Sequence, residues 1–265
     1  MNKTWVFTAQ PEERVASFAK ELRVSPVLAR LLLNRGIEGI PEARAFLNPS
    51  LATLPSPHAF AGMDKAIARI RQAIAAGEEI SIFGDYDADG TCGSAILVRL
   101  FRMLGANFSC HLPSRNGDGY GLSINAIDAA KERGVGVLIT VDNGIAAVDE
   151  VRHAEKLGID VIVTDHHRFG ADLPPALALL HPGVPGSTYP HPNLCGAGVA
   201  FKLALALAEE VGETLTTSVE FQHYVSFCLA MVAIASIADV VPLVGENRAL
   251  VKAGLAALGA SNHPA

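Results

Sequence analysis

The chain has 265 residues and a formal net charge of −6, with 21 Lys and Arg against 27 Asp and Glu. Half of its residues are apolar and 18% are charged, so it can bury a sizeable core, which excludes a chain that is disordered throughout. The acidic balance excludes an overall electrostatic attraction to nucleic acid and leaves only a local basic groove open to that role.

Four scattered cysteines form no C-x-x-C pair, so a disulfide framework or a zinc knuckle is not expected, and a reducing cytoplasm is favoured. The N-terminal segment has no apolar signal-peptide core. The longest apolar stretch, residues 227–237, is too short to span a bilayer. We therefore expect a soluble, cytoplasmic protein with no membrane partner.

The sequence pattern predicts two regions. Residues 1–62 form a helical N-terminal arm, in which short helices between residues 12 and 60 are interrupted by five prolines. Residues 63–265 form the second region, which begins with a helix over 63–76 that ends at Gly77. We expect the arm to have no core of its own.

Short apolar runs alternate with helical patterns through the second region. The runs cover residues 80–84, 108–112, 137–141, 160–164 and 177–180. The helical patterns cover residues 91–104, 123–133, 145–157, 198–210 and 221–237. Short apolar strands separated by helices are typical of right-handed βαβ units. The pattern predicts an α/β fold, with a doubly wound, mainly parallel sheet of about five strands and helices on both faces.

Acidic residues follow three of the predicted strands. They are Asp85, Asp87 and Asp89 after the first strand, Asp142 after the third, and Asp165 after the fourth, where His166 and His167 follow it. The carboxyl ends of parallel strands share one edge of the sheet, where ligands bind. Carboxylates gathered there would repel one another unless cations bound them.

Each of these groups has an ordinary explanation when it is taken alone. Residues 85–90 match the first half of an EF-hand calcium loop, but Ile96 occupies the twelfth position, where that loop requires glutamate. Residues 141–144 are also a common turn sequence, and a pair of adjacent histidines is more often a surface feature than a ligand set. Only a shared site explains why all three groups follow strands at one edge.

Asp239 is a further acidic candidate, because it follows a long apolar helix within a strongly hydrophobic run. A carboxylate in such a position needs a partner. The spacing leaves three explanations open, namely a salt bridge, a helix cap or a metal site.

Four motifs carry a resemblance to a known family: GDYDADGTCGSAI (84–96), VDNGI (141–145), TDHH (164–167) and ASIADVVPL (235–243). In this order and spacing they resemble the four motifs of the DHH phosphoesterase superfamily, and most closely those of its single-strand-specific DNA exonucleases. The resemblance covers roughly residues 55–259. The chain has Ala-Ser before the last motif, where family members often have Gly-Thr, and this leaves Asp239 unchanged.

The resemblance implies a site for two divalent cations, Mn²⁺ or Mg²⁺, for which carboxylate oxygens and imidazoles are suitable ligands. It assigns Asp87 and Asp142 to one ion, with Asp85 contributing directly or through water, and Asp89, Asp142, His166 and Asp239 to the other. It also implies that Asp165 orients a neighbouring ligand, and that His167 faces the substrate as a proton donor or phosphate contact.

Two residues of the loop after the second strand are candidate DNA contacts. Arg115 is a candidate phosphate clamp, and Tyr120 is a candidate platform for base stacking. A solvated loop arginine and a simple loop anchor are the ordinary alternatives. Arg168 and Lys202 are weaker candidates for DNA contact.

The implied activity is hydrolysis of phosphodiesters from the 5′ end of single-stranded DNA, releasing 5′-mononucleotides in DNA repair and recombination. Single-stranded DNA with a 5′ end is the expected partner, together with single-strand-binding protein or a helicase. The alternatives are a small-substrate phosphoesterase acting on oligoribonucleotides, pAp or cyclic dinucleotides, and a non-catalytic scaffold.

Enzymes of this branch continue into a second DHH-associated domain and an oligonucleotide-binding domain. The 265 residues do not include these, so we expect weak activity.

Overall fold

In the computed structural model, two units with separate hydrophobic cores make up the described chain, which comprises residues 8–113 and 121–260. The division falls between Ala52 and Thr53. Residues 53–62, which the sequence pattern groups with the N-terminal arm, therefore belong to the second unit.

The first unit consists of short helices around a small core of its own. The helices are α1 (Glu12–Leu22), α2 (Pro26–Asn34) and α3 (Ile40–Leu47). Pro26 and Pro41 lie in first turns, where the missing N–H breaks no helical hydrogen bond, so these prolines start helices. Apolar side chains from all three helices are buried together, among them Phe18, Leu32 and Ala43. The expectation of an arm without a core was wrong, because each helix is amphipathic despite its shortness.

A parallel five-stranded sheet forms the centre of the second unit in the described residues. Its strands are β1 (Glu79–Gly84), β2 (Phe108–His111), β3 (Val135–Val141), β4 (Asp160–Thr164) and β5 (Ala178–Leu180). They lie in the order β2-β1-β3-β4-β5. This is a doubly wound arrangement, as predicted, and the strand order reverses between β1 and β3.

Helices cover both faces of the sheet. The helices of this unit are α4 (Met63–Ala76), α5 (Ala88–Met103), α6 (Ile124–Glu132), α7 (Val148–Lys156), α8 (Gly196–Val211), α9 (Glu213–Thr216), α10 (Val219–Ala238) and α11 (Gly245–Ala260), of which the last three pack on other helices. Ile80 and Ile82 lie in the larger core, with apolar residues of α4, α5, α8 and α10. Phe83 and Leu138, whose side chains point to the other face, lie in the smaller core with residues of α6 and α7.

The helix α10 contains the apolar run seen in the sequence, but it begins at Val219 and is 20 residues long. Its length and composition would allow it to cross a membrane, but half of that segment is buried inside the protein. It packs against α5, α8 and α11, which is the arrangement of a core helix. The last helix, α11, has no counterpart in the predicted elements.

Candidate metal centre

Three aspartates lie side by side at the carboxyl edge of the sheet. Asp85, Asp142 and Asp165 each follow the last residue of a strand, and each is about 1% exposed. Their backbone N–H groups continue the strand pairing, since Asp85 donates to the carbonyl oxygen of Val141 and Asp142 donates to that of Thr164. The backbone of the sheet therefore fixes their spacing, at the edge where the strand order reverses.

A first cluster of carboxylate oxygens joins Asp85, Asp87 and Asp142, whose oxygens lie within 4.8 Å of one another. Asp87 is the N-cap of α5, and its Oδ1 accepts hydrogen bonds from the N–H groups of Asp89 and Gly90 at 2.9 and 3.0 Å. This cap holds the exposed Asp87 at the edge of the sheet.

A second cluster joins Asp89, His166 and Asp239, whose ligand atoms also lie within 4.8 Å of one another. The His166 Nε2 atom lies 3.4 Å from Asp89 Oδ2 and 3.7 Å from Asp239 Oδ2. The oxygens of Asp89 accept hydrogen bonds of 2.6 and 2.7 Å from the N–H groups of Gly196 and Ala197, at the start of α8. The positive end of that helix stabilises the buried carboxylate.

Asp142 connects the two clusters, because its Oδ1 lies 3.1 Å from His166 Nε2. Its backbone is left-handed, with φ of 63°, a conformation that aspartate tolerates better than most residues. Gly196 lies directly against it, since a Cβ atom there would be 2.6 Å from the Oδ1 of Asp142. Asn143 holds the turn by donating its Nδ2 to the carbonyl oxygens of Phe83 and Val141.

The site combines buried negative charge with polar atoms that lack hydrogen bonds. Burial, followed by repulsion from Asp89, raises the pKa of Asp142 to about 10. Burial also raises the pKa of Asp85 and of Asp89. Asp142 Oδ1 and His166 Nε2 are buried and accept or donate no hydrogen bond among the described residues. A divalent cation would bind these atoms and restore the charged carboxylates, so the residues fit the metal that the sequence predicts.

Asp165 takes no part in either cluster and instead organises the two histidines. Its Oδ1 accepts hydrogen bonds from the N–H groups of His166 and His167 and from the His167 Nδ1 atom at 2.8 Å. Burial alone would raise its pKa, but hydrogen bonds from His167 and from the N–H of Ile145 outweigh burial and lower it. Asp165 is therefore ionised, and its hydrogen bond raises the pKa of His167.

His181 holds the backbone of His167 through a hydrogen bond, a role that the sequence does not reveal. Its Nδ1 accepts a hydrogen bond from the N–H of Gly183, so its Nε2 carries the proton and donates to the carbonyl oxygen of His167 at 2.9 Å. The ring is buried, with Phe169 against it edge-on. Only its position after β5, which is not a motif, could have suggested this contact.

A cavity of about 380 Å³ adjoins the site on the side of His167. Its wall includes Asn143, Gly144, Asp165, His167 and Arg168. Arg168, which lines this cavity, is exposed, and Glu150 also lines it.

The remaining DNA-contact candidates lie elsewhere or outside the described part. Arg115 and Tyr120 fall in residues 114–120, outside the described residues. Lys202 is no DNA contact, because it is 1% exposed and forms a buried ion pair with Glu246 at 2.5 Å. An apolar helix surface around it, visible in the sequence as GAGVAFKLALALA, explains this burial.

Comparison with known proteins agrees with this geometry. Residues 79–230 match the DHH family, N-terminal domain, and the chain belongs to that family. It is 41% identical over 258 residues to the single-stranded-DNA-specific exonuclease RecJ of Bacillus subtilis. That alignment covers 97% of this chain and 31% of the relative.

Two crystal structures of RecJ from Thermus thermophilus have the same fold. The complex with Mn²⁺ matches with a TM-score of 0.75 and 34% identity over 97% of this chain and 35% of that one. The complex with Mg²⁺ matches with a TM-score of 0.62 and 32% identity, over 97% and 31% of the two chains. This chain thus spans about a third of the length of the relatives that it matches. The predicted fold and family are confirmed.

Proposed function

We propose that this protein is a metal-dependent phosphodiesterase, a 5′→3′ exonuclease on single-stranded DNA that releases 5′-mononucleotides in DNA repair and recombination. The observation that carries the proposal is the meeting of the two clusters at Asp142, whose Oδ1 lies 3.1 Å from His166 Nε2. The similarity to single-stranded-DNA-specific RecJ exonucleases supports the strand preference, and the polarity is what the motif resemblance implies.

The proposal assigns each cluster to one Mn²⁺ or Mg²⁺ ion. Asp85, Asp87 and Asp142 would hold the first ion, and Asp89, Asp142, His166 and Asp239 would hold the second. Bound there, two ions would supply Lewis acidity for activating water and would neutralise the charge that develops on a phosphodiester during in-line displacement. Asp85 and Asp142 suit this role, because the hydrogen bonds of the sheet fix the backbone that carries their short side chains.

His167 is the proposed proton donor. Asp165 is ionised and accepts the hydrogen of Nδ1, which leaves Nε2 to carry the proton that is transferred. The hydrogen bond to Asp165 raises the pKa of His167 and so favours the protonated ring. In the proposed step, the oxygen of water bonds to phosphorus and releases one proton to solvent, and the bond between phosphorus and the 3′-oxygen of the terminal nucleotide breaks. His167 gives its proton to that 3′-oxygen, which becomes the 3′-hydroxyl of the released 5′-mononucleotide.

We further propose that the cavity beside His167 receives part of the terminal nucleotide, with Arg168 as a phosphate contact. The formal charge of −6 predicts weak binding of single strands by this chain alone, since such binding normally needs a positive channel.

Single-strand-binding protein or a helicase, which present single strands, are the protein partners that this function predicts. All four cysteines are free, which supports the cytoplasmic location.

The test is an assay with Mn²⁺ on a 5′-labelled single-stranded oligonucleotide, the matching duplex and pAp. We expect labelled 5′-mononucleotide from the single strand only, and none after chelation. Asp142→Ala should abolish release, whereas Asp149→Ala, which removes an exposed carboxylate on α7, should not. Equal turnover of pAp would show a small-substrate phosphoesterase instead. A series of shortened strands that keep the 5′ label would show removal from the 3′ end and refute the proposed polarity.

A further inference from the structure

The segment of residues 189–197, which is buried at Tyr189 and over residues 194–197, contacts Asp89 and is linked through Asn247 to the turn that carries Asp239. At its end, the N–H groups of Gly196 and Ala197 bind the two oxygens of Asp89. Gly196 also lies against Asp142. The segment therefore fixes one side of the cluster directly.

The same segment is tied to the turn that carries Asp239. This turn, residues 239–244, joins α10 to α11. Asn247, in the first turn of α11, is 4% exposed and donates its Nδ2 to the carbonyl oxygens of Asn193 and Pro242, at 2.6 and 3.1 Å. One amide group thus links the segment to the turn.

Neighbouring contacts hold the same two parts together. The Tyr189 hydroxyl donates to Glu246 Oε2 at 2.5 Å, and the Glu246 carboxylate also pairs with Lys202. Further along, Cys195 Sγ lies 3.4 Å from the hydroxyl of Ser236, three residues before Asp239. These groups are buried, so the contacts are not exchanged for water.

The turn needs such support, because its backbone is strained. Val240 is β-branched and has a φ of 59°, in the left-handed region that such residues avoid. Its side chain is 83% exposed, so packing of Val240 itself does not hold the conformation. A strained backbone persists only where the surrounding structure determines it.

We infer that Asn247 is a positioning residue for the metal site formed by Asp89, His166 and Asp239. It touches no ligand atom; it fixes the turn to segment 189–197 and so sets the distance between Asp239 and Asp89. This inference rests on the proposed two-ion function. It predicts that loss of the amide weakens one ion site and leaves the site of Asp85, Asp87 and Asp142 intact.

The test compares Asn247→Leu, which keeps the size of the side chain, with the matched control Asn107→Leu. Asn107 also donates an amide hydrogen to a backbone carbonyl, that of Gly77, away from the metal site. Mn²⁺ alone is titrated calorimetrically into the full chain, and the Mn²⁺-loaded proteins are examined by electron paramagnetic resonance. We expect one of the two Mn²⁺ affinities to fall about 10- to 100-fold in Asn247→Leu, and neither to change in the control. The spectrum should change from that of a coupled ion pair to the hyperfine sextet of an isolated ion.

Two unchanged affinities, or an equal loss of both in a cooperatively melting variant, would overturn the inference. If the leucine variant does not melt cooperatively, the same Mn²⁺ titration and spectrum are measured for Asn247→Asp, which has the same shape and lacks the amide donor. An unaltered protein that binds no pair of coupled ions would refute the proposed function itself, and that result is visible without any variant.

Discussion

The substitution Asp142→Asn should make the metal-free protein more stable, although it removes the residue on which the two-ion site depends. The pKa of Asp142 is raised to about 10 from an ordinary value of 3.8, first by burial and then by Asp89. In the folded state the group therefore holds a proton that the unfolded chain releases above about pH 4. The stability that Asp142 contributes is therefore fully present below about pH 4, and it is lost as the pH rises toward 10.

The size of the effect follows from the same shift. About three pH units separate the ordinary pKa from pH 7, and each unit corresponds to about 1.36 kcal/mol, so the free energy of unfolding should increase by about 4 kcal/mol. For a chain of this size, that is a rise of about 10 °C in Tm. Asparagine keeps the shape of aspartate beside Gly196 and accepts the left-handed backbone, so the substitution removes the charge without changing the shape of the side chain.

Thermal melts in a chelating buffer between about pH 5 and pH 9 measure the difference in stability between the unaltered protein and Asp142→Asn. The unaltered protein should lose stability as the pH rises, and Asp142→Asn should lose less. With added Mn²⁺, the unaltered protein should be stabilised and the variant should not. Asp165→Asn is the matched control with the opposite sign, because the pKa of Asp165 is lowered and its charged form stabilises the fold above about pH 4. Destabilisation by both substitutions would refute the reasoning about Asp142.

Three further predictions concern His167 and Gly196. The ligand atoms of His167, His166 and Asp142 also lie within 4.8 Å of one another, but the Nδ1 of His167 forms a hydrogen bond with Asp165 Oδ1. His167→Gln should therefore bind Mn²⁺ with unchanged affinity and lower turnover about 10²- to 10⁴-fold, and loss of Mn²⁺ affinity would make His167 a ligand. Asp165→Asn removes the negative charge that strengthens the hydrogen bond to His167 and raises its pKa, so the fall of the rate at alkaline pH should move to lower pH. An unmoved profile would assign that fall to another group. Gly196→Ala places a Cβ 2.6 Å from the Oδ1 of Asp142 and should weaken Mn²⁺ binding about tenfold or more. Gly170→Ala, which meets no atom within 4 Å, is its control, and equal affinities in the two would contradict the close packing.

The fold was largely predictable, because its signals are local. The apolar runs of β1 to β5 and the helices between them follow from the period of the sequence, and α4 begins and ends where the pattern predicts. α11 was missed because an alanine-rich pattern after a proline gives no strong apolar face. The core of the first unit was missed because it forms only when three short helices pack together.

The site was predictable only in part. Asp85, Asp142 and Asp165 follow strands, so their common edge could be inferred from the sequence alone. For Asp239 the sequence left a salt bridge, a cap and a metal site open; the structure brings it within 3.7 Å of His166. His181 was passed over because no motif marks it.

By itself, the sequence determined which residue types stand at the strand ends, because a strand and the residue that follows it are neighbours in the chain. Tertiary structure alone decided how the acids are grouped. Asp89 meets the start of α8 more than a hundred residues later, and Asn247 reaches back to residue 193. Such contacts depend on how helices pack on the sheet, and packing joins residues whose separation along the chain carries no periodic signal.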